Sequence, residues 1–224
     1  MQIQLDRKTE LLPNLEYSYD KKAQRFRNKS SGKFLSQNQA LKVLESGIND
    51  RKSRITDSID RYLAGSIEID KFMITVADFI KDLHILNAVI AVGGRKDQLT
   101  KQQLSVLQDR VKSQMTTTKD PISGDKYGLQ VLARELLKGE VSEAQLRNRL
   151  AMYVNSAEQT QEYIEHEKQK TSGKTEGLRR LGTTENCPEC LEYAGLGWVK
   201  LENLILPGQK CRCGSNCKCF IVYR

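Results

Sequence analysis

All six cysteines of this 224-residue chain lie within its last 38 residues, and this clustering limits the possible folds more than any other feature of the sequence. The first two form a Cys-x-x-Cys pair, and the other four follow about twenty residues later as two Cys-x-Cys pairs. Two thiolate pairs of this kind complete a tetrahedral zinc site with Zn–S bonds of about 2.3 Å. So short a segment buries too little surface to fold alone, and a metal supplies the missing folding free energy. The spacing predicts a closed structural zinc site.

Six cysteines exceed the four ligands of a tetrahedral ion, so the ligand set stays open at this point. The candidate ligands occupy five positions: Cys187, Cys190, Cys213, Cys217 and Cys219. The first two form one pair, and Cys213 with Cys217 is the preferred second pair. Cys219 can replace either member of the second pair, and Cys211 is the predicted spare.

Two other uses of the cysteines compete with zinc. Disulfides are typical of exported proteins, but the start Met1-Gln2-Ile3-Gln4 lacks the basic residues and apolar run of a signal peptide. A reducing cytosol is therefore the expected compartment of synthesis. A redox-active Cys-x-x-Cys motif is expected within a βαβ pattern, which does not surround Cys187 and Cys190.

The rest of the chain predicts a mainly α fold. Apolar residues recur at helical spacing through residues 36–170, which predicts a bundle of about five helices. Three of these helices begin with a capping box, in which a Ser or Thr is followed three residues later by Gln. The capping pairs are Ser36 with Gln39, Thr100 with Gln103, and Ser142 with Gln145. Gly65 and Gly139 are predicted to end helices in the left-handed conformation.

Two further segments flank this helical domain. Residues 1–35 form a predicted extended arm in which aromatic and basic side chains alternate, and which either docks on a partner or folds back on the core. Residues 171–224 form a predicted small β-rich zinc module. It is expected to contain a hairpin within residues 195–208 and a final strand at 220–223.

The net positive charge of the chain is concentrated at its two ends. Residues 1–42 carry nine Lys or Arg against four Asp or Glu, and residues 168–224 carry ten against five. Basic ends suit nucleic acid or an acidic protein surface. Ordinary solvated lysines account for the same excess equally well.

The sequence offers no catalytic constellation. No G-x-S-x-G, P-loop, HExxH or dinucleotide-binding pattern occurs in it. A closed four-thiolate zinc has no open position for water, so it cannot hydrolyse a substrate. His84 lies among apolar residues and is predicted to be a core histidine, whereas His166 lies in a charged run and is predicted to be solvated. We expect a protein that is not an enzyme and has no small-molecule substrate.

Residues 182–224 resemble the C-terminal domain of phage head morphogenesis proteins, the minor head protein family related to protein F of phage Mu. The shared elements are Cys187-x-x-Cys190, Gly197-Trp198, Pro207-Gly208 and Asn216-Cys217-Lys218-Cys219. Cys213 stands near the position where many relatives have a histidine ligand, and Cys211 is an addition. Upstream, Arg25-Phe26-Arg27 and the run Glu176 to Arg180 also resemble this group.

The resemblance implies a structural virion protein of a tailed bacteriophage, a minor capsid protein. Such a protein is made in the host cytoplasm and assembles in the head, near the portal or the inner capsid surface. Its implied partners are the portal, the major capsid protein and packaged DNA, with no membrane involved. The alternative hypotheses are a zinc-ribbon nucleic-acid-binding protein and a thiol-redox enzyme.

Overall fold

The computed structural model describes residues 16–119, 124, 126–182 and 185–224. Positions 1–15 of the predicted arm, including the chain start Met1-Gln2-Ile3-Gln4, therefore lie outside the described residues. The mainly helical fold is confirmed, with small antiparallel sheets at both ends of the described chain and between two helices. None of the helices in these ranges combines the length and the apolar character that crossing a membrane requires.

The helical body is built from six helices within the described residues. They are α1 (Gln37–Leu63), α2 (Ile69–Ala91), α3 (Lys101–Met115), α4 (Leu129–Leu137), α5 (Glu143–Glu158) and α6 (Thr160–Thr171). The number exceeds the predicted five because the last predicted helix is divided at Gln159. There the Glu162 N–H donates to the Gln159 carbonyl at 3.1 Å, three residues back, which tightens the turn.

The sequence signals predicted to begin and to end helices are both confirmed. All three capping boxes form, with the Ser or Thr oxygen accepting from the third helical amide and the Gln side chain accepting from the cap amide. Gly65 and Gly139 take φ values of 68° and 70° after the helices they end. In both turns the next amide reaches back five residues to a helix carbonyl, so the two hairpins share one capping motif.

Helix α2 is the centre of the body, as its broad apolar stripe indicates. It packs against α1, α3, α4, α5 and α6. Its side chains at Phe72, Met73, Val76, Ile80 and Leu83 have no exposed surface. The other helices bury one stripe each against it and leave their opposite faces in solvent. The core is therefore arranged around a single helix.

His84 lies on α2 and is fully buried, which confirms the predicted core histidine. Its Nδ1 lies 2.6 Å from the Thr160 hydroxyl oxygen at the start of α6. Burial, with a smaller contribution from the charge of Arg110, lowers the pKa of His84 to about 3. The ring is thus neutral at physiological pH and joins the central helix to α6.

Protonation of His84 makes the folded state sensitive to acid. Unfolded chains take up this proton near pH 6.5, whereas the folded ring resists it down to about pH 3. Stability contributed by the neutral ring is therefore complete above pH 6.5 and is lost as pH falls toward 3. We expect this ring to account for about 2 kcal/mol of lost stability between pH 7 and pH 5. Urea unfolding of the wild type and of His84→Gln at both pH values measures it, and equal pH dependence in the two proteins contradicts the assignment.

The described part of the predicted arm is folded, which corrects the expectation of an extended segment. Strands β1 (Tyr17–Asp20), β2 (Arg25–Asn28) and β3 (Phe34–Leu35) form an antiparallel sheet in that order. Tyr17 and Phe26 are buried and meet edge to face, with ring centroids 5.4 Å apart. The Tyr17 hydroxyl donates to the Gly94 carbonyl at 2.9 Å. Burying these aromatic side chains against the body is more favourable than leaving the segment in solvent, so the segment folds back on the core.

Between α3 and α4 the strands β4 (Thr118–Lys119) and β5 (Lys126–Tyr127) pair as a short ribbon. The C-terminal sheet contains β6 (Glu176–Arg180), β7 (Trp198–Lys200) and β8 (Phe220–Tyr223), with β6 in the centre. Helix α7 (Pro188–Gly195) follows β6 along the chain. The final strand is confirmed, but the predicted hairpin is wrong because β7 pairs with the earlier strand β6, Val199 opposite Gly177.

Candidate metal centre

The first cysteine pair is positioned by the start of α7. Cys187 is the N-cap residue, Pro188 is the first helical residue, and Cys190 lies in the first turn. Proline suits this position because the first helical N–H has no partner within the helix. The geometry directs both thiols to the same side, and Cys190 is fully buried.

The other four cysteines are positioned by consecutive tight turns before β8. The Gly214 amide donates to the Cys211 carbonyl at 2.9 Å, and the Asn216 amide donates to the Cys213 carbonyl at 2.8 Å. A third bond of 3.2 Å joins the Cys217 amide to the Gly214 carbonyl. The chain coils tightly here, so cysteines spaced two to four residues apart project into one small volume.

The six sulfurs form two groups that share one residue. Sulfurs within each group all lie within 4.8 Å of one another. The first group is Cys187, Cys190, Cys211 and Cys213, and the second is Cys190, Cys217 and Cys219. The Cys190 sulfur lies 3.8 Å from that of Cys213 and 3.6 Å from that of Cys217. A tetrahedron with Zn–S bonds of about 2.3 Å has edges of about 3.8 Å.

All five predicted ligand positions belong to this cluster. Cys211, predicted to be the spare, lies in it as well and is 3% exposed. The cysteines therefore come together in a way that could hold a metal ion. The choice of four among them stays a prediction.

Hydrogen bonds within the cluster divide the thiols into two kinds. Bonding from the Cys211 side chain, assisted by the amides of Cys219 and Gly208, lowers the pKa of Cys217 to about 4. The same bond to Cys217, together with burial, raises the pKa of Cys211. Burial also raises the pKa of Cys190. Since metals bind thiolates, Cys217 is the one of these three cysteines whose surroundings favour the anionic form that a metal ligand takes.

A buried arginine beside the cluster was missed in the sequence. Arg179 on β6 is 2% exposed and donates from Nη1 to the Cys190 sulfur at 3.7 Å. Its Nη2 donates to the Ile205 carbonyl at 2.8 Å, and its guanidinium lies 5.0 Å from the centre of the Tyr193 ring. Buried cations require nearby negative charge, which thiolates supply. Only the alternation along β6, which exposes Arg180 and buries Arg179, could have distinguished this arginine in the sequence.

Removing the Arg179 charge is expected to weaken metal binding. Groups that hydrogen-bond to metal ligands typically contribute 10- to 100-fold in affinity, so we expect Arg179→Met to lose about that much. Competition with a chromogenic zinc chelator measures the change. Arg180→Met is the matched control, since that neighbouring arginine is exposed. Equal affinity in both variants contradicts the role assigned to Arg179.

The cluster is attached to the helical body at the division between α5 and α6. Gln159 donates from Nε2 to the Gly214 carbonyl at 3.0 Å, and Asn155 donates from Nδ2 to the Asn216 side-chain oxygen at 2.7 Å. Gly208 faces the Gln159 side chain so closely that a Cβ atom there would lie 2.5 Å from the Gln159 Oε1. The turns that carry the cysteines thus rest directly on the last two helices of the body.

The prediction of a solvated His166 is wrong. The residue is 5% exposed, and its Nδ1 lies 3.4 Å from the Tyr223 hydroxyl oxygen of β8. Burial lowers the pKa of His166. Its neighbours Glu165 and Lys168 carry the charge that made the run look solvated, and they bond to each other on the outer face of α6. Packing of the C-terminal sheet against α6 covers the histidine.

No protein-family model matches the chain, and neither the curated proteins nor the solved structures compared with it give a match.

Proposed function

We propose that the cysteine cluster binds zinc as a structural ion. The donor atoms that converge are thiol sulfurs, a soft set that suits zinc. Four of the six cysteines are buried, at Cys190, Cys211, Cys217 and Cys219, which favours a closed site over one that admits substrate. Zinc there links α7 to the turns before β8 and so stabilises the C-terminal module.

We further propose that the chain is a structural virion protein of the minor head type, assembling near the portal or on the inner capsid surface. The observation that carries this proposal is the meeting of the two halves of the cysteine motif. Cys190 of the first half and Cys217 of the second have sulfurs 3.6 Å apart, although 27 residues separate them. The motif on which the resemblance rests is therefore a single spatial unit.

A candidate docking surface lies at the other end of the chain, on the N-terminal sheet. Phe34 is 42% exposed, with the guanidinium carbons of Arg25 and Arg27 at 5.2 Å and 4.3 Å from its ring centre. Aromatic and arginine side chains are enriched where proteins bind each other. We propose that this surface binds an acidic patch on the portal or the major capsid protein.

Mass spectrometry of purified particles tests the virion assignment. We expect the chain to be present in heads from cells that express it, and its absence from heads despite expression contradicts the proposal. The double variant Arg27→Glu and Phe34→Ser is expected to reduce incorporation several-fold without changing zinc content. Lys71→Glu, an exposed charge reversal on α2, is the control that should be incorporated normally.

The arginine–phenylalanine stack also supports a second candidate function, nucleic-acid binding. Proteins commonly bind single-stranded nucleic acid by stacking its bases on exposed aromatic rings that lie beside cationic side chains. This function predicts affinity for DNA that falls steeply with salt, with a shallower slope in Arg27→Glu. Undetectable binding at low salt removes this candidate and leaves the protein-binding role.

A further inference from the structure

We propose that the cysteine cluster binds two zinc ions rather than one, with Cys190 and Cys211 bridging them. The inference rests on the proposed zinc site and extends it by a second ion. The first group of four sulfurs supplies as many ligands as one tetrahedral ion takes. The second group contributes Cys217 and Cys219, two thiols that a single ion leaves without a metal.

Ligand number requires shared thiolates. Two tetrahedral ions have eight coordination positions between them, and six thiolates fill eight positions only if two of them bridge. Clusters with two zinc ions and six cysteines are a known class of structural module. The number of cysteines in this chain is that of such a cluster.

Cys190 has the geometry of one bridging ligand. It is the residue common to both groups, and its sulfur is 3.8 Å from Cys213 in the first group and 3.6 Å from Cys217 in the second. Both distances are close to the tetrahedral S–S edge of about 3.8 Å. No exposed surface remains on Cys190, so its sulfur has protein neighbours on every side.

Cys211 is the second bridging ligand. It belongs to the first group, is 3% exposed, and lies in the same buried cluster as Cys217 and Cys219 of the second group. The first ion is then bound by Cys187, Cys190, Cys211 and Cys213. The second ion is bound by Cys190, Cys217 and Cys219, the three sulfurs of the second group, and by Cys211 from the first group. The cysteine that the sequence marks as a spare thus completes the second site.

Charge in the surroundings is compatible with this assignment. Six thiolates and two zinc ions carry a net charge of about −2 by simple formal counting, and buried anions need a compensating group. Arg179 provides one positive charge in contact with Cys190.

Metal content of the full chain tests the proposal. Protein purified in mild reductant is analysed by native mass spectrometry and by elemental analysis. We expect two zinc ions per chain. One ion per chain overturns the second site while leaving the proposed structural zinc intact, and zinc-free protein or bound iron overturns both.

Two variants and one spectroscopic measurement locate the second ion. Cys219→Ser is expected to bind one zinc instead of two, because Cys219 belongs only to the second group. Ser215→Ala, a change in the same turn that removes no thiol, is expected to keep both ions. Cadmium-113 NMR of the substituted protein is expected to show two resonances with metal–metal coupling through the bridging sulfurs, and two uncoupled resonances contradict the bridges.

Discussion

Cys190→Ser is expected to abolish zinc binding and to unfold the C-terminal module while the helical body stays folded. Cys190 is fully buried, lies in both sulfur groups, and receives the hydrogen bond of Arg179. Structural zinc sites contribute on the order of 10 kcal/mol to folding of the segment that they organise, and serine is a far weaker zinc ligand than a thiolate. The loss leaves Arg179 without its sulfur partner as well.

Hydrogen exchange measured alongside zinc content distinguishes this outcome from general unfolding. Amides of β6 and β8 are expected to lose protection, and those of α2 to keep it, because the buried cysteines form a cluster separate from the helical core. Leu191→Ser is the matched control, since this neighbouring residue is 53% exposed. Full zinc content in Cys190→Ser would falsify the assignment of Cys190 as a ligand.

Phe72→Ala is the change expected to destabilise the helical body most. Phe72 has no exposed surface, and its ring stacks on that of Tyr62 with centroids 4.6 Å apart and planes 11° from parallel. Removing a buried phenylalanine ring typically costs about 3–5 kcal/mol through lost burial and the cavity left behind. For a chain of this size that corresponds to a fall in Tm of roughly 10 °C.

Calorimetry together with zinc analysis measures this effect, and the metal content is expected to be unchanged. Ile74→Ala is the control on the same helix, because Ile74 is 54% exposed and its truncation removes little buried surface. A similar fall in Tm for both variants contradicts the central position assigned to α2.

Much of the helical body could be predicted because its signals are local. Each capping box joins residues three positions apart, and each glycine turn is closed within six residues of chain. The number of helices was underestimated because no proline or glycine marks the division at Gln159. A turn tightened by one backbone hydrogen bond, at a position where the C-terminal module packs, has no local sequence signal.

The candidate site likewise combines features that the sequence predicts with features that it does not. The convergence of the cysteines follows from their spacing, whereas Arg179 and the burial of His166 depend on how the C-terminal sheet meets α7 and α6. The partner of Arg179, Cys190, is eleven residues away, and that of His166, Tyr223, is 57 residues away. The charged residues around His166 led to the prediction that its side chain is solvated. The prediction failed because periodicity does not indicate which face of a short polar helix is covered.

The helices, their caps and the gathering of six cysteines at one end of the chain can all be predicted from the sequence, because short-range hydrogen bonds and residue spacing specify these features. The three-dimensional fold was needed to establish that residues 16–35 pack onto the body, with Tyr17 bonded to Gly94 across 77 residues. It was also needed to establish that β6 is the central strand of the C-terminal sheet, and that Cys190 belongs to both groups of sulfurs. These features depend on contacts between segments that are far apart in the sequence. No local sequence pattern indicates which of the possible contacts between such segments will form.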